Sequence, residues 1–300
     1  MPNQANIKGD AFAMLDSPKE VMSPGHLACP GCGGALSLRL AVKLLAPDCI
    51  FVIPACCMAV IDGPFPFSAL GVPLVHTAFA STASVAAGIT ATLRGKGDDK
   101  TVVVGWAGDG GSFDIGLAGL SASASRNDDY LYICYDNEAY MNTGIQQSSA
   151  TPLGAWTTTT PAGNPKGRPK KDILTLMASH DIPYIASANP AFPDDFARKI
   201  NIAKEMHGFR FIHVFAACPP GHRSAEPDSI KLSRLAVETR EFPLYEMRDG
   251  KLTITVDPPV KQLEDYIKLQ RRFSHWVEKD FELARARIDR NWKRMERMAD

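Results

Sequence analysis

Short apolar runs alternate with segments of helical period along most of the chain. ALSLRLAVKLLA (35–46) is apolar at helical spacing, and CIFVIP (49–54) is a short β-rich run. Residues 77–93 are Ala-rich and read as a buried helix. TVVVGWA (101–107) predicts a strand, followed by Gly-Asp-Gly-Gly and a helix over about 113–125. YLYICY (130–135) predicts the next strand. Helix 172–179, strand 183–187, helix 193–206 and strand 209–215 continue the rhythm. Short apolar strands separated by helices predict an α/β fold, a doubly wound, mostly parallel sheet covered on both faces.

After residue 218 the pattern loosens. Residues 244–256 predict a small hairpin around Asp249-Gly250. From residue 259 the chain reads as a charged helical tail. Phe273, Val277, Phe281, Ala284, Ile288 and Trp292 recur every three or four residues and form one apolar stripe. That stripe must dock either on the chain's own core or on another subunit. The expected organisation is a polar arm over 1–24, an α/β domain over 25–240 and a hairpin with a helical extension over 241–300. TTTTPAGNPKGRPKK (157–171) interrupts the alternation as a long basic loop, read as solvated surface or as a contact with substrate or partner.

Composition narrows the function classes. Lys+Arg and Asp+Glu both number 33, so the net charge is zero and neither nucleic acid nor an anionic membrane is called for. No apolar run is long enough to span a bilayer, and the N-terminus lacks the pattern of a secretory signal. A cytoplasmic protein is expected. The seven cysteines are then unlike a disulfide framework, so metal ligation and plain burial compete for each.

Gly108-Asp109-Gly110-Gly111 follows an apolar strand and opens a helix, and Asn137 follows the next strand. Neighbouring strands place both at the carboxyl edge of the sheet, where open α/β sheets bind ligands. Mg²⁺ with a diphosphate asks for hard oxygen ligands. Asp109 offers a carboxylate, Asn137 a side-chain carbonyl and Ala139 a backbone carbonyl. The glycines let the backbone approach phosphates, and the helix start adds N–H groups.

GDGGSFDIGLAGLSASASRN…YICYDNEAYMNTGIQQSSATPLGAWTTTTPAG resembles the β subunit of the pyruvate and related 2-oxoacid:ferredoxin oxidoreductases, over about 25–272. The resemblance implies the diphosphate-binding half of a thiamine-diphosphate-binding fold. It implies Mg²⁺ ligation by Asp109, Asn137 and the Ala139 carbonyl, with Asn142 near the thiazolium and substrate and Thr143 and Gly144 shaping the same loop. It also matches Cys29, Cys32, Cys57 and Cys218 to the ligands of a [4Fe–4S] cluster, with Cys57 rather than Cys56 in register. Cys49 and Cys134 lie in apolar runs and read as core. Zn(Cys)₄, a thioredoxin-like pair at Cys29 and Cys32, and purely structural thiols stand as alternatives.

The activity so implied is CoA-dependent oxidative decarboxylation of a 2-oxo acid, pyruvate by default, to acyl-CoA and CO₂. Electrons then leave through the cluster to ferredoxin or a similar carrier. Phenylglyoxylate and oxalate are other substrates of this type. A non-redox thiamine-diphosphate lyase subunit and a zinc-stabilised interaction module are competing functions. The resemblance further implies an α subunit that supplies the aminopyrimidine Glu and most of the substrate pocket, and γ and ferredoxin-like δ subunits. Two departures flank the cluster positions: Cys57-Met58-Ala59-Val60 stands where relatives have Cys-Leu-Glu-Val, and Pro220-Gly221-His222 where they have Thr-Gly-Trp. His222 and Arg223 read as CoA-phosphate contacts or as solvated. His76 reads as a hydrogen-bonded structural residue. The aromatic stretch 61–67 reads as subunit-interface packing or as pocket lining.

Overall fold

The computed structural model describes residues 20–299, so most of the expected N-terminal arm lies outside the described residues. The predicted apolar runs become strands of one eight-stranded sheet. They are β1 (Cys49–Pro54), β2 (Leu74–Thr77), β3 (Val102–Gly108), β4 (Leu131–Asp136), β5 (Tyr184–Ala188), β6 (Arg210–Phe215), β7 (Leu244–Arg248) and β8 (Lys251–Val256). Their spatial order is β2-β1-β3-β4-β6-β5-β7-β8. The first six run parallel. The predicted hairpin adds β7 antiparallel to β5 and β8 antiparallel to β7. Its turn residues Asp249 and Gly250 both have positive φ, as a tight two-residue hairpin turn requires.

β3, β4, β5 and β6 are buried along their whole length, which is why they read as continuous apolar runs rather than alternating ones. The helices Gly33–Leu45 and Pro193–Glu205 cover one face, over Phe51, Trp106, Ile133 and Val214. The helices Thr82–Gly95, Leu117–Arg126 and Ile173–Ala178 cover the other, over Val103, Tyr132 and Phe211. β2 was not foreseen. Its four residues are at best half-buried on the sheet edge, so they carry neither an apolar run nor alternation.

The C-terminal helix Glu278–Ala299 docks on the chain's own fold. Trp292 and Met295 pack with Tyr245 and Leu252, and Ala284 and Ile288 pack with Leu235 and Phe242. The apolar stripe is therefore an internal seam. Val277, expected to extend it, precedes the helix and is exposed.

This topology fixes where a ligand belongs. From β1 the chain moves outward to β2, then returns to place β3 on the other side of β1. The connections leaving the carboxyl ends of β1 and β3 diverge, which opens a crevice at the switch point.

Candidate cofactor and metal site

A cavity of about 400 Å³ lies in that crevice. It is lined by the segment after β1 (Cys56, Cys57, Ala59, Val60), the segment after β3 (Gly108 to Gly111) and the loop after β4 (Asn137 to Thr143). Asp109, Asn137, Ala139, Asn142 and Thr143 thus share one cavity. Gly144 sits just behind, at φ +116°, its carbonyl accepting from Thr158 Oγ1 at 2.8 Å.

The hard-oxygen set converges. One end of the Asn137 amide lies 3.0 Å from Asp109 Oδ1 and 3.0 Å from the Ala139 carbonyl oxygen. With its nitrogen there the amide donates to both. With its oxygen there three oxygens meet, and adjacent ligands of an Mg²⁺ octahedron stand about 2.9 Å apart for Mg–O of about 2.05 Å. The residues present therefore fit Mg²⁺, and a half-turn of one amide interconverts the two arrangements. Asp109 is buried, and its second oxygen accepts from Ser148 Oγ. Burial, then the nearby Asp136 carboxylate, pushes the Asp109 carboxyl well above the ordinary range. A cation bound beside Asp109 would favour its carboxylate form.

The residue after β3 starts no ordinary helix. Gly110–Asp114 form a π-helical turn, a geometry frequent at functional sites. A Cβ on Gly110 would lie 2.3 Å from the Tyr140 ring, so a glycine there makes room for an aromatic wall as well as for a ligand. Tyr140 is pinned by its hydroxyl, which donates to Asp114 at 2.8 Å. Tyr140, Phe79, Tyr135 and Met141 line the cavity and escaped the sequence reading, because nothing in an isolated aromatic marks it as a wall.

Behind the oxygen ligands lies a buried ion network, also missed. Asp136 contacts Lys170 at 2.5 Å and His213 at 2.7 Å. Glu138, at φ +71°, contacts Lys170 at 2.9 Å and pairs with Arg272. Burial pushes the Asp136 and Glu138 carboxyls up, but Lys170, with His213 for one and Arg272 for the other, holds both below the ordinary range. Burial likewise disfavours the charged Lys170, and the two carboxylates more than offset it, so its pKa is raised. Lys166 donates to the carbonyls of Ser148 at 3.1 Å and Ser149 at 3.2 Å. The basic loop 157–171 is therefore not merely solvated surface: Lys170 turns inward onto Asp136 and Glu138, which flank Asn137, and Lys166 onto the Ser148 and Ser149 carbonyls. Lys170→Met leaves two buried carboxylates short of a partner, and such losses cost about 3–5 kcal/mol. Urea unfolding of the variant at neutral pH is expected to show that fall.

His222 and Arg223 correct another expectation. His222 is wholly buried, with Nε2 3.1 Å from the Asn137 carbonyl, and burial followed by Arg272 lowers its pKa to about 3. It stays neutral and donates to the loop. Arg223 stacks over Trp156, 3.3 Å from the ring centre. His222 is therefore neither solvated nor placed to reach a CoA phosphate, whereas Arg223 keeps partial exposure. His76 bonds Asp62 at 3.3 Å, as expected of a structural His.

The thiols form a second group at the same end of the sheet. Cys32 caps the helix Gly33–Leu45, accepting from Ala35 N–H at 3.3 Å. The Gly33 N–H donates to the Ala217 carbonyl at 2.8 Å, which ties the Cys29–Cys32 loop to Cys218. A Cβ on Gly34 would lie 2.6 Å from Met58 Cε, so the Cys57 segment closes in from the third side. Burial raises the Cys57 thiol, and Cys56, Cys218 and Cys32 raise it further. Burial pushes Cys218 up to about 12, with Cys32 and Cys29 also adding. Cys56 differs: burial raises its thiol, which bonds the Tyr135 hydroxyl and the backbone of Ala59, Met58 and Gly108. Cys49 and Cys134 are buried within β1 and β4. Among the described residues, no three His, Cys, Asp or Glu side chains close on a point that would hold one metal ion.

Comparison with known proteins places the chain in a family. Residues 60–214 match the family model described as "Thiamine pyrophosphate enzyme, C-terminal TPP binding domain". The chain is 47% identical to ketoisovalerate oxidoreductase subunit VorB of Pyrococcus abyssi, over 92% of each chain. It is 44% identical to pyruvate synthase subunit PorB of Methanothermobacter thermautotrophicus, over 87% of this chain and 92% of the relative. A 2-oxoglutarate:ferredoxin oxidoreductase from Magnetococcus marinus, solved with 2-oxoglutarate, coenzyme A and succinyl-CoA, shares the fold at TM-score 0.59 and 22% identity, over 88% of this chain and 94% of that one. The chain belongs to the β subunits of the thiamine-diphosphate-dependent 2-oxoacid:ferredoxin oxidoreductases.

Proposed function

We propose that this subunit takes part in the CoA-dependent oxidative decarboxylation of a 2-oxo acid with an uncharged aliphatic side chain, passing electrons through a [4Fe–4S] cluster to ferredoxin or a similar carrier. One observation carries the reading: Cys57 and Asp109 line the same cavity, so the thiol group and the oxygen group share a wall. Asp109, Asn137 and the Ala139 carbonyl would hold Mg²⁺ and thereby anchor the diphosphate. Cys29, Cys32, Cys57 and Cys218 would hold the cluster, one thiolate per iron, around a body rather than a point. Bound thiamine diphosphate supplies the carbon nucleophile and electron sink that 2-oxo acid decarboxylation needs.

The chain's own contribution is placement and exclusion. The Lys170–Asp136–Glu138–Arg272 network fixes the loop that carries Asn137 and Ala139. Asn142 and Thr143 sit at the mouth, exposed. Ala59, Val60, Phe79 and Met141 give the cavity an apolar wall that keeps water from the reacting centre. Ala59 stands where the family pattern has Glu. The activating Glu and the rest of the substrate pocket are assigned to an α subunit, and γ and ferredoxin-like δ subunits complete the assembly. Phe65, 98% exposed, and Phe67, 75% exposed, suit burial against such a partner better than solvent.

The apolar wall supports the substrate class. Among the described residues, Asp109 is the only acidic one that lines the cavity, and no Lys, Arg or His lines this chain's share of it to receive a second carboxylate. That two relatives are named for ketoisovalerate and for pyruvate fits the same class. The test is an anaerobic preparation of the whole complex, assayed for iron, sulfide and thiamine diphosphate and then for turnover. We expect kcat/KM for pyruvate or 2-oxoisovalerate to exceed that for 2-oxoglutarate by about 100-fold or more, since a stranded carboxylate is poorly tolerated in an apolar site. Preferred turnover of 2-oxoglutarate would contradict the substrate class, and an active, iron-free complex would contradict the redox assignment.

A further inference from the structure

A second cavity, about 380 Å³, lies on the other side of the metal-ligand loop, between that loop and the C-terminal helix. Its volume is within the range of small-molecule sites. Six cations line it: Lys170, Lys171, Arg240, Arg287, Arg290 and Arg294. Only three carboxylates do, Glu138, Asp172 and Glu241. The helix Glu278–Ala299 carries both signs of charge overall, with Glu282, Asp289 and Glu296 among its acids. Every polar residue that it contributes to the cavity is nevertheless Arg or Asn, at positions 287, 290, 291 and 294. The spacing of three and four aligns these side chains on one face, beside the buried seam of Ile288, Trp292 and Met295. Docking accounts for two of these charges, since Arg287 pairs with Glu241 at 2.6 Å and Arg294 with Asp172; Arg290 is left over.

We infer that this cavity binds a phosphorylated small molecule with a planar ring, of the mononucleotide type. Two rim cations, Arg290 and Arg294, are available to a phosphate; the other four are engaged, Lys170 with Asp136 and Glu138, Lys171 with Asp114, Arg240 with Asp257 and Arg287 with Glu241. Arg290 is exposed and makes no ion pair among the described residues. Arg294 pairs with Asp172 at 2.6 Å, and both side chains are about half exposed, so a phosphate exchanges easily for that carboxylate. Guanidinium groups also match phosphate geometry through paired N–H donors. For the ring the cavity offers the Arg240 guanidinium, which lies 3.7 Å over the centre of the buried Trp292 ring, with Tyr245 and Phe242 also buried beneath the wall. Two of its lining residues carry buried polar atoms without a partner, Arg240 Nε and Tyr266 Oη, which the fold itself does not explain. Lys170 belongs both to this wall and to the clamp on Asp136 and Glu138, so occupancy bears on the same charge that steadies the metal-ligand loop.

The experiment titrates adenosine 5′-monophosphate, and separately inorganic phosphate, into the full-length chain and into the assembled complex, by calorimetry and by Trp292 fluorescence against a Trp292→Phe control. We expect one saturable site for the nucleotide, weakened by rising salt and competed by inorganic phosphate at higher concentration. Arg290→Ala, which removes an exposed unpaired side chain, is expected to weaken binding about threefold to tenfold, and Arg290→Glu to abolish it without changing the unfolding temperature. No saturable binding of either probe, or binding indifferent to both variants, overturns the inference. Binding that is seen in the free chain but lost in the assembled complex also overturns it, and makes the cavity a seat for another subunit.

Discussion

Asp109→Asn is expected to lose Mg²⁺-dependent binding of thiamine diphosphate while the cofactor-free chain becomes more resistant to heat. The binding loss follows from the oxygen set. Asp109 is the only carboxylate among the three oxygens that meet at the Asn137 amide, and without it the site offers Mg²⁺ two neutral oxygens. Loss of an outer-shell partner already costs roughly 10–100-fold in metal affinity, so loss of the charged ligand itself should exceed about 100-fold. The gain in stability has the same origin. Burial and the neighbouring Asp136 raise the Asp109 carboxyl above its unfolded value. In the pH range between those two values the folded chain binds a proton that the unfolded chain does not. Stability therefore falls as pH climbs through the raised value, and the full penalty applies above it. Asparagine keeps the shape and removes that penalty. The variant's advantage should grow with pH and vanish once pH lies below the ordinary carboxylate value of about 3.9. Calorimetry of cofactor binding with and without Mg²⁺, paired with thermal unfolding at several pH values, reads both effects. Normal affinity in the variant would remove Asp109 from the metal site.

The convergence of Asp109, Asn137 and Ala139 was legible in sequence because their chemistry coincides with their topology. An apolar strand, a Gly-Asp-Gly and an Asn one strand later place hard donors at adjacent strand ends whatever the details of packing. The parallel strands were legible for a similar reason, since burial on both faces forces a continuous apolar run. β2 had no such signature, being short and partly exposed. The ion network was hidden for a different reason. Lys170 sits in a Pro- and Gly-rich basic stretch that reads like any solvated loop, and Arg272 reaches Glu138 across 134 residues of sequence. Pairing at that range is decided by how loops pack, which no local pattern encodes. His222 was misjudged likewise: beside a cluster position it suggested a ligand contact, yet packing turned it inward against the Asn137 carbonyl.

Cys218→Ser should cost the subunit its iron, whereas Cys49→Ser should leave iron and sulfide unchanged. Both residues are free thiols, and burial pushes both up to about 12, so neither acidity nor sulfur content separates them. Surroundings do. Cys218 lies where the 29–32 loop and the Cys57 segment converge, with Cys32 and Cys29 near enough to raise its pKa further. The charges that act on Cys49 are Lys204 and Asp48, and no other thiol is among them. A raised thiol pKa means that thiolates are costly there unless cations accompany them, and cluster iron provides that charge and deprotonates the ligand outright. The adjacent pair Cys56 and Cys57 gives a sharper version of the same contrast. Cys57 feels Cys218 and Cys32, while Cys56 is turned toward the Tyr135 hydroxyl and the Gly108 backbone. Cys57→Ser should therefore match Cys218→Ser, with roughly half or more of the iron lost and the reduced-cluster paramagnetic signal gone. Cys56→Ser should resemble Cys49→Ser in iron content. Anaerobic purification of the four variants with iron, sulfide and paramagnetic resonance measurements decides between them. If Cys56→Ser lost the cluster and Cys57→Ser kept it, the register of the third ligand would shift by one residue. If all four kept it, the thiols at this end of the sheet would not be its ligands.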